Sequence, residues 1–500
     1  MANAYILVLM GILLAKVAGF LRDAVFASVF GTGVESDIYF QIFGVASLVF
    51  TAVGSALSTL IIKNINKPQH SYEGGQEKYA AHFMKRISLM ILILTALMYA
   101  FAKPLVHLLL PGILGADFTL AVRVMYIMLP SFLFICVAYM MSGLLQNRRV
   151  FFTPSIMSLP YNAIAVLVLL FGVRDILVIS AVTTLGWFLH IIIQLPDFYR
   201  KGYRFVLPTR GLFTGDEVKD TYETVFIFIS GLMLQLCFMT DKIFAGTDAG
   251  MVSTLSYASN LFITFSGLFV VAMSSVVFPA ISQNYEHGEM DYVRELIRYM
   301  IKLMVTIFSF YLVAVIFFGD FAVSMIYERG AFTHTDTIRV TWAFIIYSLA
   351  IFGYLAQNVL NKLFYLAGKY KVTVLGTVAV VAVNAVVDYF FAPVYGTYFV
   401  AVTTTVLLTL YAVFTAIKLK GIIGGYITKE LLAALLKIAL STALSVAAVI
   451  LLIPFTSKYG GYEHTIIHFA ISAVVYALSL LVTGVLKDLF TTPLSRVRKG

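Results

Sequence analysis

The sequence predicts an all-α polytopic membrane protein, because the chain is long, strongly apolar and poor in charge. Of its 500 residues, 61% are hydrophobic and 12% are charged, whereas about 25% of the residues of an average soluble domain are charged. A spanning helix needs about 20 apolar residues, so the chain has room for over a dozen spans. This composition excludes a water-soluble fold and leaves no length for an additional large soluble domain.

Apolar runs separated by polar breaks predict about fourteen transmembrane helices. The first run contains Lys16 and Arg22 and lacks a small-residue cleavage site, so we expect a retained helix and not a signal peptide. The predicted spans are residues 4–28, 36–62, 87–110, 119–144, 150–172, 175–198, 223–246, 252–282, 298–326, 337–366, 371–393, 397–418, 429–454 and 463–486.

Basic residues alternate between loops and predict the topology of the chain. They are concentrated after the even-numbered spans, for example at Lys85, Arg149 and Lys369, so the positive-inside rule places both termini in the cytoplasm. The net charge of +10 therefore indicates orientation in a membrane and no nucleic-acid partner. The two cysteines, Cys136 and Cys237, lie in apolar runs, which excludes a disulfide framework and a thiolate metal cluster.

The first hairpin of the chain is repeated in its second half. Shifting this hairpin forward aligns Phe20 with Phe238 and Asp23 with Asp241. Each copy holds six spans and enters from the same side, so we expect two pseudo-symmetric six-helix lobes related by an axis along the membrane normal. The predicted domains are an N-terminal lobe at residues 1–218, a C-terminal lobe at residues 219–424, and an appended two-helix hairpin with a basic tail at residues 425–500.

Charged residues in the first hairpin form the first candidate site, since ionisable groups at membrane depth are costly. Lys16 and Asp23 share one face of the first span. Arg22 lies about 120° away and joins that face only if the helix bends, which Gly19 permits. Asp37 enters the second span. One interpretation is a set of structural ion pairs, Lys16 with Asp23 or Arg22 with Asp37. The other is a cavity whose cations bind an anionic head group such as a pyrophosphate, because guanidinium donors match phosphate oxygens.

A second group of polar residues lies in spans seven, eleven and twelve. Asn384 and Asp388 share one face of span eleven, and Val400 and Thr404 share one face of span twelve. Asp241 lies deep in span seven. Two carboxylates, an amide, a hydroxyl and a carbonyl form a hard-oxygen set that suits a hard cation and not zinc. The alternative is a hydrogen-bond network between helices, with Asp241 neutralised by Lys242 or by protonation, and the spacing does not distinguish the two.

Short segments along nearly the whole chain match the motifs of a known family. They are Gly19–Asp23, Phe30–Gly33, Ser36–Asp37, Leu144–Asn147, Phe152–Pro154, Tyr257–Ala258, Phe278–Pro279 and Lys362–Leu366. With these segments the chain resembles the MurJ (MviN) lipid II flippases of the multidrug/oligosaccharidyl-lipid/polysaccharide exporter superfamily. The Gly-Phe-x-Arg-Asp segment and the plan of fourteen spans together make this resemblance specific.

The resemblance implies a transporter and not an enzyme. It would move lipid II, an undecaprenyl-pyrophosphate-linked peptidoglycan precursor, from the inner to the outer leaflet of the bacterial plasma membrane by alternating access. The appended hairpin would form a groove for the lipid tail, and we expect a monomer to suffice. Sodium and the membrane potential are the expected driving forces.

The resemblance also implies the residues of two sites. The sodium ligands fall on Asp241, Asn384, Asp388, Thr404 and the carbonyl of Val400. The substrate contacts fall on Lys16, where the family usually has arginine, and on Arg22, Asp23, Asp37 and Asn260.

Two departures from the family pattern concern the cationic residues. An arginine is usual midway along the second span, but residues 47–55 contain none, and Asn260 replaces another arginine two residues after Tyr257–Ala258. Either other cations take their place, or the cargo is a different lipid-linked oligosaccharide, or the chain has departed from the lipid II role. The candidate replacements are Arg123, Lys242 and Lys362.

Other classes of function fit the sequence less well. A cation-coupled multidrug antiporter of the MATE type would share the two-lobe plan, but we would expect an acid-lined, more apolar cavity and twelve spans. A non-transporting scaffold has no need for deep charges. An intramembrane glycosyltransferase needs catalytic carboxylates on substantial outer loops, whereas the loops here are short. Its nearest candidate residues, which we interpret as interfacial, are Glu328, His334, Asp336, His464 and His468.

Overall fold

The first half of the chain folds into helices joined by short turns. A computed structural model describes residues 2–49, 53–66, 75–205, 232–456 and 463–490, and all regular secondary structure in these ranges is helical. The turn after the first helix contains Gly31 at φ +57°, a left-handed conformation that glycine adopts without strain. The helices up to residue 205 are α1 (Ala2–Phe30), α2 (Val34–Val49), α3 (Ser55–Ile65), α4 (Gly75–Ala100), α5 (Ala102–Leu109), α6 (Gly115–Met128), α7 (Ser131–Asn147), α8 (Phe152–Ser155), α9 (Leu159–Leu170) and α10 (Ile176–Arg200).

The second half is helical as well, and one of its spans is bent. The chain turns by 54° between α14 and the segment that follows it, and this segment contains a π-helical stretch at Ala356–Leu360. The helices are α11 (Met233–Ala245), α12 (Met251–Glu286), α13 (Met290–Tyr327), α14 (His334–Ser348), α15 (Ile351–Leu355), α16 (Asn361–Leu366), α17 (Tyr370–Tyr395), α18 (Tyr398–Ile423), α19 (Lys429–Thr456), α20 (Glu463–Val482) and α21 (Val485–Phe490).

The helices confirm a polytopic membrane fold. Among the described residues, nine helices are long and apolar enough to cross a membrane, or ten if the bent pair is one span. Each predicted span overlaps with a helix, and the spans beyond these ten lie in α1, in α2 with α3, in α11 and in α12. Part of predicted span seven, residues 223–231, lies outside the described residues. The count of fourteen and the two-lobe arrangement stay predictions.

Apolar side chains cover the outer faces of the helices. The side chains of Leu92, Ile93 and Leu97 on α4 are more than half exposed, and so are those of Tyr389 and Phe390 on α17. In water such surfaces would drive association, whereas in a bilayer they contact lipid tails at no cost. The helices satisfy their own backbone hydrogen bonds, as the hydrocarbon interior requires.

The first of two compact units contains the candidate residues of the first hairpin. In this unit α10 packs against α7 and α9, and α1 packs along α9. Its buried polar groups bond one another: Ser142 Oγ donates to Gln194 Oε1 at 2.9 Å, and Gln194 Nε2 donates to the Ala138 carbonyl at 3.1 Å. The unit comprises Met1–Tyr257, Tyr327–Asp336 and Val374–Val400.

The second unit contains the C-terminal hairpin of α19 and α20. Tyr476 on α20 donates to the Thr306 carbonyl of α13 at 2.7 Å, and the rings of Phe318 and Phe469 pack with their centroids 5.4 Å apart. The hairpin is thereby fastened to α13. The unit comprises Ala258–Ile326, Thr337–Thr373 and Ala401–Gly500. The predicted domain boundaries at residues 218 and 424 were derived from the sequence repeat, whereas the two compact units are defined by contacts between residues. The predicted boundaries therefore stay a prediction.

Candidate functional site

Arg22 is the charged group with the most contacts in the first candidate site. Its Nε and Nη2 donate to Asp23 Oδ1 at 3.0 and 2.6 Å, and its Nη1 donates to Asn162 Oδ1 at 3.3 Å. The guanidinium lies over the rings of Tyr161 and Phe43, at 4.9 and 5.5 Å from their centroids. These contacts hold a cation at membrane depth in one orientation.

The guanidinium of Arg22 keeps part of its donor capacity. Of its five N–H groups, three are used by Asp23 and Asn162, so two are not donated to any residue that the structure describes. The side chain is 15% exposed. Arg22 is therefore largely buried, and two of its N–H groups remain for an additional acceptor.

Lys16 lies two turns before Asp23 on α1. Its side chain is half-buried, and it forms no ion pair within the described ranges. The two ion pairs considered from the sequence are therefore not the ones observed. Asp23 pairs with the neighbouring Arg22, and Lys16 contributes a positive charge that no described carboxylate neutralises.

Asp37 binds the beginning of a helix and not a cation. Its Oδ2 accepts from the Gly250 backbone N–H at 2.6 Å, and its Oδ1 accepts from the Ser253 N–H at 2.7 Å. These N–H groups belong to the first turn of α12, where the helix dipole favours a negative charge. Asp37 therefore ties α2 to α12, and its predicted substrate contact stays a prediction.

The turn after α1 is joined to the segment between α13 and α14, and we call these contacts the clasp. The Ala331 N–H donates to the Ser28 carbonyl at 2.8 Å, and Thr32 Oγ1 donates to Asp336 Oδ1. Asp336 Oδ2 also accepts from the Thr333 N–H at 2.7 Å. The topology predicted from the charge pattern would place this end of α1 at the outer side.

Two glycines allow the backbones of the clasp to touch. A Cβ atom at Gly31 would overlap with the Ala331 carbonyl, and a Cβ atom at Gly330 would overlap with the Ser28 carbonyl. Both have positive φ, +57° and +62°, so any other residue would also be strained. The clasp thus depends on glycine at both positions.

A buried aromatic layer lies next to the clasp. Tyr257 and Tyr327 are fully buried, with ring centroids 5.0 Å apart, and Phe332 packs on both at 5.5 and 5.6 Å. The Tyr257 hydroxyl donates to the Gly31 carbonyl at 3.2 Å. The sequence did not predict the clasp or this aromatic layer. It shows the turn at Phe30–Gly33 and the carboxylate of Asp336 only as separate features.

The second candidate site brings together a carboxylate and an amide. Asn384 Nδ2 on α17 donates to Asp241 Oδ1 on α11 at 3.4 Å. Asp241, Asn384, Asp388 and Val400 lie in the first unit and are fully buried. Thr404 is also fully buried, one turn after Val400 on α18, and belongs to the second unit.

The chemistry of these side chains fits a hard cation. The donors are two carboxylates, an amide oxygen, a carbonyl and a hydroxyl, which are the oxygen ligands of Na⁺-like or Ca²⁺-like ions. Within the described ranges no three His, Cys, Asp or Glu side chains form a metal-binding group. The hydrogen bond between Asn384 and Asp241 also fits the alternative of a helix-bridging network.

The remaining candidate residues for the cationic site differ in their surroundings. Asn260, at the position of a missing arginine, is half-buried on α12, and Lys242 is half-buried on α11. Lys362 lies over the Phe278 ring at 5.4 Å from its centroid, and Arg123 is exposed.

Comparisons with known proteins identify relatives along most of the chain. The family described as lipid II flippase MurJ matches residues 26–471. A lipid II flippase MurJ of Thermosipho africanus is 24% identical over 402 residues, which cover 78% of this chain and 80% of the relative. A probable lipid II flippase MurJ of Buchnera aphidicola is 21% identical over 388 residues, which cover 76% of each.

Solved structures share the fold. A lipid II flippase MurJ in an inward closed conformation superimposes with a TM-score of 0.83 at 21% identity, over 96% of this chain and 99% of its own. An inward-facing multidrug resistance MATE transporter of the MOP superfamily gives a TM-score of 0.64 at 14% identity, over 82% of this chain and 95% of its own.

Gly330→Ala is expected to open the clasp, because the added methyl group overlaps with the Ser28 carbonyl. Overpacking costs about 1–3 kcal/mol, so the open fraction should rise about tenfold. A cysteine at the fully buried Ser36 reports opening through its rate of labelling by a membrane-impermeant maleimide.

Gly288→Ala is the matched control for this experiment. Gly288 has φ +78°, and a Cβ atom added there would meet no neighbouring atom within 4 Å. Its replacement by alanine therefore introduces backbone strain without the steric overlap that occurs at Gly330. Its labelling rate at Ser36→Cys should remain that of the parent. Equal rates in all three proteins would show that the glycine contact does not hold the clasp.

Proposed function

The chain belongs to the MurJ family of lipid II flippases, which are transporters and not enzymes, and we propose that it moves lipid II from the inner to the outer leaflet of the bacterial plasma membrane. The observation that carries this proposal is the arrangement of Arg22 and Lys16 on α1. Both are cations at membrane depth, and such groups are retained where they bind a substrate or line its path.

Arg22 and Lys16 have different roles in binding a pyrophosphate. Arg22 is neutralised by Asp23, so it contributes little net charge, but its two remaining N–H groups give directed hydrogen bonds to phosphate oxygens. Lys16 has no described carboxylate partner and supplies the net positive charge. A directional donor and a positive charge on the same helix suit a pyrophosphate better than the organic cations typical of multidrug antiporters.

An apolar cavity in the second unit supports a lipid as the cargo. It has a volume of about 310 Å³ and lies among α12, α13, α14 and α20. The hydrophobic effect favours an isoprenoid chain in such a cavity. The residues that line it include Phe265, Tyr311, Phe318, Met325, Phe344 and Phe469.

The clasp supports alternating access as the mechanism. Its hydrogen bonds join the turn after α1 to the segment between α13 and α14, so we propose that it closes the outer end while cargo binds from the cytoplasm. Cargo and ions can shift this equilibrium only by binding the two states with different affinity. An inside-negative potential favours outward movement of anionic cargo, by about 2.3 kcal/mol per charge per 100 mV.

Sodium is the proposed coupling ion. Asp241, Asn384, Asp388, Thr404 and the carbonyl of Val400 would hold it, and the ion would supply a positive charge between the two carboxylates. The complete burial of these residues supports the assignment, because a buried carboxylate pair is costly unless a cation or protons compensate it.

Arg22→Lys is expected to lower lipid II flipping in proteoliposomes about tenfold or more. Lysine keeps the charge but loses the fork of N–H donors, and a hydrogen bond to a charged group is worth about 1.5–3 kcal/mol. Flipping is measured by the accessibility of fluorescent lipid II to an external quencher. Arg174→Ala, which changes an exposed arginine, should behave as the parent protein.

The same assay tests the cargo. Normal flipping by Arg22→Lys would refute the proposed role of the guanidinium. Transport of another undecaprenyl-pyrophosphate glycan with lipid II excluded would instead show that the chain serves a different lipid-linked oligosaccharide.

Asp388→Asn is expected to weaken sodium binding at least tenfold, because the change removes a full charge while keeping the shape of the side chain. Binding of radioactive sodium to the purified protein measures the effect. Asp117→Asn, which changes an exposed carboxylate, is the control. Unaltered sodium binding by Asp388→Asn would favour the helix-bridging network.

A further inference from the structure

Asn162 lies between the backbone of α1 and the head group of Arg22. Its Nδ2 donates to the Ala15 carbonyl at 3.4 Å, and its Oδ1 accepts from Arg22 Nη1 at 3.3 Å. The side chain of Asn162 also lies against Gly19, and Asn162 is 4% exposed. Ala15, Gly19 and Arg22 follow each other along one face of α1.

The two neighbours of Asn162 require an amide at this position. A carbonyl oxygen can only accept a hydrogen bond, and a guanidinium can only donate one. An amide does both at once, whereas a carboxylate would leave the carbonyl without a donor and an aliphatic side chain would bond neither. The amide is also uncharged, so it holds Arg22 without adding negative charge beside the phosphate-binding group.

Asn162 complements the other contacts of the guanidinium. Asp23 holds the Nε and Nη2 atoms, Asn162 holds Nη1, and the Tyr161 ring covers one face. Tyr161 is itself fixed by stacking on Trp187, with ring centroids 5.4 Å apart. Nε and Nη2 both donate to one oxygen atom, Asp23 Oδ1, so without Asn162 the guanidinium could pivot about that oxygen. Its two remaining N–H groups would then no longer point in one fixed direction.

We propose that Asn162 is a positioning residue, which orients Arg22 so that its two remaining N–H groups bind the pyrophosphate of the cargo. This inference rests on the proposed function, because it assigns the anion that Arg22 binds. Asn162 does not itself contact the anion. It acts through the orientation of Arg22 and through its lack of charge.

The test measures binding of undecaprenyl pyrophosphate to the full chain in lipid nanodiscs by native mass spectrometry. Asn162→Ala should weaken binding up to about tenfold, since the anion must then immobilise an Arg22 side chain that is no longer held in one orientation, at a cost of about 0.5–1.5 kcal/mol. Asn162→Asp keeps an acceptor for Nη1 but adds a negative charge, so binding should be weaker still. The additional loss should diminish at high salt, which screens charge.

Gln194→Leu is the matched control. Gln194 is another fully buried amide of the same unit, bonded to Ser142 and Ala138 and not to Arg22. Its replacement should lower the unfolding temperature and leave pyrophosphate binding unchanged. Equal losses of binding in Gln194→Leu and Asn162→Ala would overturn the inference, because the effect would then come from general destabilisation.

Arg22→Ala separates this inference from the proposed function. If Arg22→Ala loses binding while Asn162→Ala keeps parental affinity, Asn162 has no positioning role and the proposed function stands. If Arg22→Ala itself binds undecaprenyl pyrophosphate normally, the assignment of Arg22 fails and the role of Asn162 fails with it. If Asn162→Asp binds as well as Asn162→Ala, the lack of charge at residue 162 is irrelevant and that part of the inference is wrong.

Discussion

A guanidinium at membrane depth must keep its hydrogen bonds, and the structure around Arg22 follows from this requirement. Removing a charge from water costs several kcal/mol, which the carboxylate of Asp23 and the amide of Asn162 offset. The aromatic face of Tyr161 adds a further contact. The ion pair with Asp23 compensates the cost of burying Arg22 in the membrane. The two remaining N–H groups of Arg22 are the donors for a ligand.

The two aspartates that the predicted repeat aligns have different partners in the structure. The alignment that sets Asp23 on Asp241 also sets Arg22 on Thr240. Thr240 bonds the Leu236 carbonyl of its own helix at 2.8 Å, and Asp241 accepts from Asn384 at 3.4 Å. Asp23 thus pairs with a guanidinium, whereas Asp241 accepts from an amide and is followed in the sequence by Lys242. The remaining N–H groups of Arg22 are the physical basis for proposing an anion site on α1, and the buried oxygen donors at Asp241, Asn384 and Asp388 are the basis for proposing a cation site.

Hydrophobic periodicity predicted the helices well, because a bilayer allows few alternatives to a helix. The spans predicted at residues 371–393 and 397–418 correspond to α17 and α18 within a few residues. The bend after Ser348 was not predicted, since no proline marks it. The clasp could not be predicted either: Thr32 and Asp336 are 304 residues apart, and no local pattern relates them. Spacing along α1 suggested partners for Lys16 and Arg22, but the length of the arginine side chain lets it fold back onto the adjacent Asp23.

A structure of the protein with lipid II bound, determined by electron cryo-microscopy in lipid nanodiscs, tests the central claim most directly. The account predicts pyrophosphate oxygens within hydrogen-bond distance of the Nη atoms of Arg22, with Lys16 close by and the contacts to Asp23 and Asn162 retained. Lipid II bound with its pyrophosphate remote from α1, and Arg22 in contact only with Asp23 and Asn162, would contradict it.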